Sequence, residues 1–194
     1  KPGVVDVNPI AMSNAFSFIK TMPDDGLVVM LDIGAVSSSL VVYGKGQQFF
    51  TRDLPIGGHH FVKELSDKKE IGYIAAQDIL YKDGVSATIS NSSTDPTEAV
   101  GIAERTVYDN LVEDLRRSLR FYGKQTGQSF FLKIFLSGGA SGTPGLADFI
   151  TSKLNIDSAI LNPFENVDGA DNISVTNPGQ FTTALGLGIR GGMS

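Results

Sequence analysis

Residues 31–40 read Leu-Asp-Ile-Gly-Ala-Val-Ser-Ser-Ser-Leu and follow an unbroken apolar run, which is typical of a strand covered on both faces. The pattern predicts that this strand turns at Gly34 and returns through hydroxyl residues as a second strand. Gly34 lets backbone N–H groups approach a phosphate closely, and Ser37 and Ser38 add donors. Asp32 at the strand end is suited to holding Mg²⁺ through water, because Mg²⁺ keeps several waters and takes few carboxylates. An ordinary hairpin with aspartate as a turn residue is the alternative interpretation.

A second glycine-rich turn connects a predicted buried strand at 130–136 to a helix that starts at 143–144. It reads Ser-Gly-Gly-Ala-Ser-Gly over residues 137–142. Between a strand and a helix N-terminus, such a turn can hold an anion or a flat ring against the backbone. Many α/β folds also need a Gly-Gly turn only for close packing, so this interpretation stays open beside the functional one.

The composition excludes several classes of protein. The net charge of −5, from 16 Lys and Arg against 21 Asp and Glu, argues against broad nucleic-acid binding. No cysteine is present, which excludes disulfides and thiolate metal sites and permits a reducing cytoplasm. No apolar run approaches the roughly 18 residues that a membrane span needs, so direct membrane insertion is not expected. Because the chain begins with Lys1 and lacks a signal-peptide pattern, we expect a piece of a longer protein.

Periodicity and turn residues predict an alternation of strands and helices along the chain. The predicted elements other than the long helix are a strand at 4–7, a helix at 10–22, strands at 27–31, 38–43 and 47–53, helices at 58–65 and 71–80, a linker or exposed hairpin at 82–96, a strand at 130–136, a helix at 144–154, a strand at 158–161, a loop at 165–177 and a helix at 180–190. The adjacent His59 and His60 point about 100° apart on a helix, so a metal site there is not expected.

The long helix, predicted over 97–122, carries the strongest helical pattern in the sequence. Asp95 can cap it, Pro96 suits its first position and Glu98 completes a capping box. Its apolar residues recur at spacings of three and four, and Gly123 is placed to end it. The helix therefore presents one apolar face and must cross most of a domain.

Together the two turns resemble the second half of the actin-like ATPase fold. The residues around them are similar to the PilM family of type IV pilus assembly proteins, also called competence protein A, which is related to FtsA. Further matching stretches are Phe50-Thr51-Arg52-Asp53-Leu54-Pro55-Ile56-Gly57-Gly58, Arg116-Arg117-Ser118-Leu119, Asn162-Pro163-Phe164 and Ala184-Leu185-Gly186-Leu187-Gly188-Ile189-Arg190-Gly191. The matches run from about residue 3 to 191, and as a set they are specific.

The resemblance implies an α/β fold of the actin-like ATPase (ribonuclease H-like) type, with a mixed sheet and flanking helices. The family begins with another phosphate-binding strand turn and a small inserted subdomain, neither of which is found in this sequence. Residues 1–22 resemble the last strand and the connecting helix of the first lobe. Residues 23–191 resemble the second lobe, with 66–96 as a subdomain insertion. We therefore expect the second lobe of the two-lobe fold alone.

The resemblance also implies ATP or ADP with Mg²⁺ as the ligand. The phosphate and metal loop would comprise Asp32, Gly34, Ala35, Ser37 and Ser38, with Gly57 and Gly58 beside it. The adenosine loop would comprise Ser137, Gly138, Gly139, Ala140 and Ser141. Glu113 and Arg116 match a pair that flanks the ribose and adenine in relatives of this fold, and an intrahelical ion pair is the alternative interpretation.

The implied function is that of a nucleotide-binding scaffold in the inner-membrane assembly platform of a type IV pilus or a related type II secretion system. Such a protein is cytoplasmic and peripheral to the bacterial inner membrane. Its partner in the family is the membrane protein PilN, which docks on the first-lobe subdomain; pilus assembly ATPases are further candidates. ATP hydrolysis would be slow at most, because no residue is an evident base for the attacking water.

Two other classes of function are compatible with these residues. A sugar or metabolite kinase of the same fold would need an aspartate base beside the acceptor hydroxyl, and Asp32 is already assigned to the metal. A degenerate actin-like module would bind partners without any nucleotide. Nucleotide binding would distinguish the pilus scaffold from the degenerate module, and an assay of phosphate transfer to sugars would test the kinase.

Overall fold

One mixed sheet organises the chain. The computed structural model describes residues 5–89, 105–165, 167–170 and 173–190. The elements in chain order are α1 (Asn8–Ile19), β1 (Leu27–Ile33), β2 (Ser38–Tyr43), β3 (Phe50–Leu54), α2 (Gly58–Lys69), α3 (Tyr73–Asp83), α4 (Ser86–Ile89), α5 (Val107–Thr126), β4 (Phe131–Ser137), α6 (Leu146–Leu154), β5 (Ser158–Ile160), a 3₁₀ turn (Pro178–Phe181) and α7 (Thr182–Arg190). No helix within the described ranges is long and apolar enough to cross a membrane.

The five strands lie in the order β3-β2-β1-β4-β5. β1, β2 and β3 form an antiparallel meander, β4 pairs parallel with β1, and β5 pairs parallel with β4. The central strand β1 is buried on both faces, as its apolar run predicts. Side chains alternate along it. Val29 and Leu31 point to one face of the sheet, which we call the first face, and Val28 and Met30 point to the second face.

Each face of the sheet has its own layer of helices. The first face is covered by α2, α5 and α6, whose Phe61, Leu115 and Ile150 are fully buried there. The second face is covered by α1 and α7. These two helices pack so closely that a Cβ on Gly186 would lie 1.8 Å from the backbone oxygen of Ala11. The prediction of an α/β fold with a mixed sheet and flanking helices is confirmed.

Helix α5 begins later and ends later than the sequence predicts. Thr106 caps it, since its hydroxyl accepts from the Asp109 N–H (3.2 Å) and the Asp109 carboxylate accepts from the Thr106 N–H (3.1 Å). Gly123 continues the helix instead of ending it, and Gly127 in the left-handed conformation follows its last turn. The predicted cap and first turns, at 95–104, lie outside the described residues.

Smaller differences concern segments with weak periodicity. Residues 5–7 of the predicted first strand form no strand, and Val7 instead caps the start of α1. Residues 86–89 of the predicted linker form the short helix α4, while its part at 90–96 lies outside the described residues. Local patterns of four or fewer residues are weak evidence for an element, because tertiary contacts decide such segments.

The inward face of α5 yields a stability prediction. Leu111 and Leu115 are fully buried, so replacing either with alanine is expected to lower the free energy of unfolding by about 2–5 kcal/mol. The side chain of Arg117 is 62% exposed, so Arg117→Ala is expected to change it by less than about 1 kcal/mol. Urea unfolding followed by circular dichroism measures all three. Equal losses at the three positions would contradict the assigned face.

Candidate functional site

The two predicted turns meet at the carboxyl ends of β1 and β4. These strands are parallel neighbours, and their register sets Asp32 directly beside Ser137. The Ser137 hydroxyl, which is fully buried, donates a hydrogen bond of 3.0 Å to Oδ1 of Asp32. Because parallel strands end at the same edge of a sheet, the turns that follow them lie side by side, a common position for ligand sites in α/β folds.

The Asp32 carboxyl lies in a place that disfavours its negative charge. Burial raises the pKa of this carboxyl above its ordinary value of 3.8, and the hydrogen bond from Ser137 offsets part of that rise. A cation beside the carboxyl would remove the cost of the charge. Among the described residues, no group of three or more His, Asp or Glu side chains could enclose a metal ion. A single half-buried carboxylate is compatible with Mg²⁺ held largely by water, and this assignment stays a prediction.

The hairpin between β1 and β2 is held against the start of α2. Its own turn is closed by the Gly34 N–H, which donates to the Ser37 carbonyl at 3.0 Å. The Gly58 and His59 N–H groups donate to the carbonyls of Gly34 (2.9 Å) and Ala35 (2.7 Å). A Cβ on Gly57 would lie 2.7 Å from the Gly34 oxygen, so this approach requires glycine. The predicted Gly57-Gly58 pair therefore fixes the position of the hairpin.

The second turn is fastened to β1 and to α2. The Ala140 N–H donates to the Ile33 carbonyl at 3.0 Å. Gly138 has φ +88°, and a Cβ there would lie 2.5 Å from the Ile33 oxygen, so both its conformation and its surroundings require glycine. A Cβ on Gly58 would come within 2.8 Å of the Ala140 Cβ. The hairpin, the start of α2 and the second turn thus form one surface.

This surface carries backbone donors that the fold leaves unused. Within the described part of the chain, the N–H groups of Ala35, Val36 and Gly139 donate to no acceptor. Ala35, Val36 and Gly139 are also exposed. Successive free N–H groups in a turn form a concave site for an anion. A Cβ on Gly139 would meet nothing within 4 Å, so the turn offers an open, flat backbone surface.

Some of the predicted hydroxyl donors are used inside the fold. Ser38 is buried and donates to the Ile56 carbonyl at 2.6 Å, which ties β2 to the segment before α2. Ser141 is buried and donates to the Gly138 carbonyl at 2.7 Å, which closes the second turn. Ser37 is exposed at the tip of the hairpin. Of these serines, it is therefore Ser37 whose side chain faces solvent at the site.

Among the described residues, no hydrogen bond or ion pair links Glu113 or Arg116 to the two turns. The side chains of Glu113 and Arg116 form an intrahelical ion pair of 2.7 Å, which is the alternative interpretation given above. The Arg116 guanidinium also donates to the Lys153 carbonyl at 2.8 Å. Lys153 lies near the end of α6, which starts after the second turn and leads back to the amino end of β5. The predicted role of Glu113 and Arg116 beside the ribose and adenine stays a prediction.

Asn177 also contributes to the site, although the sequence predicts only a loop over 165–177 and no role for this residue. The Asn177 amide donates to the carbonyls of Gly138 (3.2 Å) and Gly139 (3.0 Å), and its Oδ1 accepts from Ser141 (3.2 Å). The Gly138 N–H donates to the Gly179 carbonyl at 3.0 Å. The only signal in the sequence is an Asn-Pro dipeptide, which favours a turn but does not name its neighbours.

The sheet order and the paired glycine turns define an actin-like ATPase fold. MreB 5 of Spiroplasma citri bound to AMPPNP shares it, with a TM-score of 0.62 and 11% identity over 98% of this chain and 59% of that chain; this likeness concerns the fold alone. Within this class, the chain belongs to the family of the type IV pilus assembly protein PilM, whose family model matches residues 1–192. The predicted fold class and family are confirmed.

Two further relatives lie closer in sequence. The solved PilM-PilN type IV pilus biogenesis complex aligns with a TM-score of 0.72 and 27% identity, covering 98% of this chain and 53% of the matched one. The cell division protein FtsA of Bacillus subtilis (strain 168) is 26% identical over 82% of this chain and 37% of its own. The chain thus spans about half the length of the solved relatives and less of FtsA.

The two glycines of the second turn provide a matched pair for a stability test. Gly138→Ala is expected to lower the free energy of unfolding by about 1–3 kcal/mol, because alanine would be strained at positive φ and would strike the Ile33 oxygen. Gly139→Ala meets no neighbour and is expected to change it by less than about 0.5 kcal/mol. Urea unfolding of both variants is the measurement, and equal effects would contradict the described turn.

The buried Asp32 carboxyl predicts a pH dependence in metal-free buffer. Its pKa is raised in the folded chain, so the folded state binds the proton more tightly than the unfolded state. The charged carboxyl therefore costs stability progressively as the pH rises from 3.8 through the folded-state pKa. Asp32→Asn keeps an oxygen acceptor for Ser137 and removes this cost. Its stability relative to the wild-type chain should rise over that window in urea unfolding; a gain that shrinks with pH would refute the assignment.

Proposed function

We propose that this chain supplies one wall of a nucleotide site that binds ATP or ADP with Mg²⁺. The observation that carries the proposal is the meeting of two glycine turns at a half-buried carboxyl, beside unused backbone N–H groups. These features supply the donors that phosphate oxygens need and the negative charge that a hydrated Mg²⁺ needs. Membership of the PilM family, with its actin-like fold, supports the same ligand class.

Each part of the surface has a distinct proposed role. The N–H groups of Ala35 and Val36 and the hydroxyl of Ser37 bind phosphate oxygens at the hairpin tip. Asp32 holds Mg²⁺ through water, and Ser137 orients the carboxylate. The open backbone at Gly139 lies against the adenosine, because the absence of a side chain there lets a flat ring approach the peptide planes.

We propose slow hydrolysis or none. Activation of the attacking water requires a base within hydrogen-bond reach of it. Asp32 is the carboxylate that the described strand ends place at the site, and its proposed role is to hold the metal ion. The nucleotide would then act as a bound regulator of assembly and not as a substrate turned over rapidly.

At the level of the whole protein, we propose a scaffold of the type IV pilus assembly platform, on the cytoplasmic face of the inner membrane. The matched PilM structure is a complex with PilN, which supports a PilN-like partner. That structure's chain extends well beyond the matched portion, and we place the PilN contact in the part that this chain does not span. Residues 23–191 would form the second lobe, with 66–96 as an insertion, and residues 1–22 its link to the first.

Calorimetric titration of the 194-residue chain with ADP, with and without Mg²⁺, tests the nucleotide proposal. A one-walled site predicts weak binding, with a Kd of about 0.1–1 mM, because the opposite wall adds no phosphate contacts. Mg²⁺ should strengthen binding to the wild-type chain, and Asp32→Asn should abolish that gain. The expected loss is about tenfold or more in the presence of Mg²⁺.

Asp53→Asn is the matched control. Like Asp32, Asp53 accepts a hydrogen bond from a serine hydroxyl on a neighbouring strand, here from Ser39 at 2.8 Å. Asp53 lies on the edge strand β3. Its replacement should leave the Mg²⁺ effect unchanged. An equal loss of the Mg²⁺ effect in both variants would contradict the role of Asp32. If the chain binds no ADP, it is a module that no longer binds nucleotide.

A further inference from the structure

A second groove lies at the amino end of β4, away from the two glycine turns that follow the carboxyl ends of β1 and β4. It is open to solvent, has a volume of about 630 Å³ and lies between α5, the start of β4 and the end of α6. Its apolar floor consists of Leu119, Phe131, Leu154 and Ile156. Gly123 lies at the groove on α5 and, having no side chain, leaves it open. The volume is in the range of pockets that enclose a small ligand or a few side chains.

One side of the groove is cationic. Arg116, Arg120 and Lys124 recur every four residues on α5, so they form a row along one side of the helix. Arg116 is engaged with Glu113 and the Lys153 carbonyl. Arg120 and Lys124 are exposed and have no ion-pair partner among the described residues. The row therefore keeps two positive charges that the fold leaves unneutralised.

We propose that this groove binds an acidic peptide segment of a partner protein, with one apolar side chain of the segment buried on the floor. The carboxylates of the segment pair with Arg120 and Lys124. An apolar anchor beside charged rim contacts is a common arrangement in peptide recognition. Because the chain carries a net charge of −5, an acidic segment is repelled by most of the surface and attracted at this local row.

The shape of the groove favours a peptide over a membrane surface. Leu119 is 5% exposed, and Phe131, Leu154 and Ile156 are only partly exposed, so the apolar floor is recessed. A recess accepts a protruding side chain, whereas membrane binding needs apolar side chains that protrude into the lipid.

The groove and the nucleotide site can be occupied at the same time. They lie at opposite ends of β4, since Phe131 begins the strand and Ser137 ends it. A partner held in the groove therefore leaves the hairpin and the second turn free.

Fluorescence anisotropy with a labelled peptide, Gly-Glu-Asp-Leu-Phe-Glu-Asp-Gly, tests the proposal on the 194-residue chain. Arg120→Glu and Lys124→Glu should each weaken binding by about tenfold, because a favourable charge pair becomes a repulsive one. Lys82→Glu is the matched control, since Lys82 lies in the last turn of α3 as Lys124 does in that of α5. It should change the affinity by less than about twofold.

Two further variants test the apolar floor. Ser129 is exposed and lines the groove, so Ser129→Trp should fill it and weaken binding. Gln125 lies on the exposed surface of α5, so Gln125→Trp should leave peptide binding unchanged. Peptides with Ser-Ser in place of Leu-Phe, or with lysine in place of every acid, should bind at least about tenfold more weakly. Unfolding curves of all variants identify any that fail to fold, and only folded ones are compared.

Three results would each overturn the proposal: the absence of saturable peptide binding, an equal loss of peptide affinity in Lys82→Glu, and tight binding of the lysine peptide. Binding to phosphatidylglycerol vesicles that is lost in Arg120→Glu would assign the groove to a membrane instead. Dissociation of a dimer by the same change, measured by sedimentation, would assign it to a second copy of the chain.

Discussion

The parallel pairing of β1 with β4 is the constraint on which the candidate site depends. It sets Asp32 beside Ser137 and makes the turns that follow both strands emerge at one edge of the sheet. The strand pairing holds the Asp32 carboxyl in a position that disfavours its charge. The packing of the core beneath it offsets the free-energy cost of that charge. The glycine contacts of the hairpin, α2 and the second turn then have a fixed surface on which to assemble.

The central part of the fold was predictable because its signals are local. A doubly covered strand, a glycine turn and a return strand are each encoded within a few residues, and the structure contains all of them. The start of α5 was not predictable, because 95–98 and 106–109 both carry a capping pattern and local chemistry cannot rank them. Gly123 was misread because a helix tolerates one glycine, at about 1 kcal/mol, when buried neighbours such as Tyr122 hold it in place.

In the candidate site, too, the features that local sequence determines were predictable, and those that depend on distant segments were not. The glycines could be identified from sequence because a sharp turn and a close backbone approach demand them wherever they occur. The roles of the serine hydroxyls could not, since Ser38 and Ser141 find their acceptors only in the folded chain. The spacing of Glu113 and Arg116 suits a ligand and an ion pair equally; the structure contains the ion pair, and the ligand role stays a prediction. Asn177 reaches the second turn from a distant segment, so no local pattern announces it.

Side chains alternate between the two faces of the sheet along β1, and this alternation limits the insertions and deletions that the strand can accept during evolution. Asp32 has the same parity as Val28 and Met30, so its side chain emerges on the face covered by α1 and α7. Inserting or deleting one residue between the apolar run and this carboxylate would move the acid to the other face, among the buried side chains of α2 and α5. Tolerated length changes in this strand therefore come in steps of two, whereas the surface loops are free of that rule.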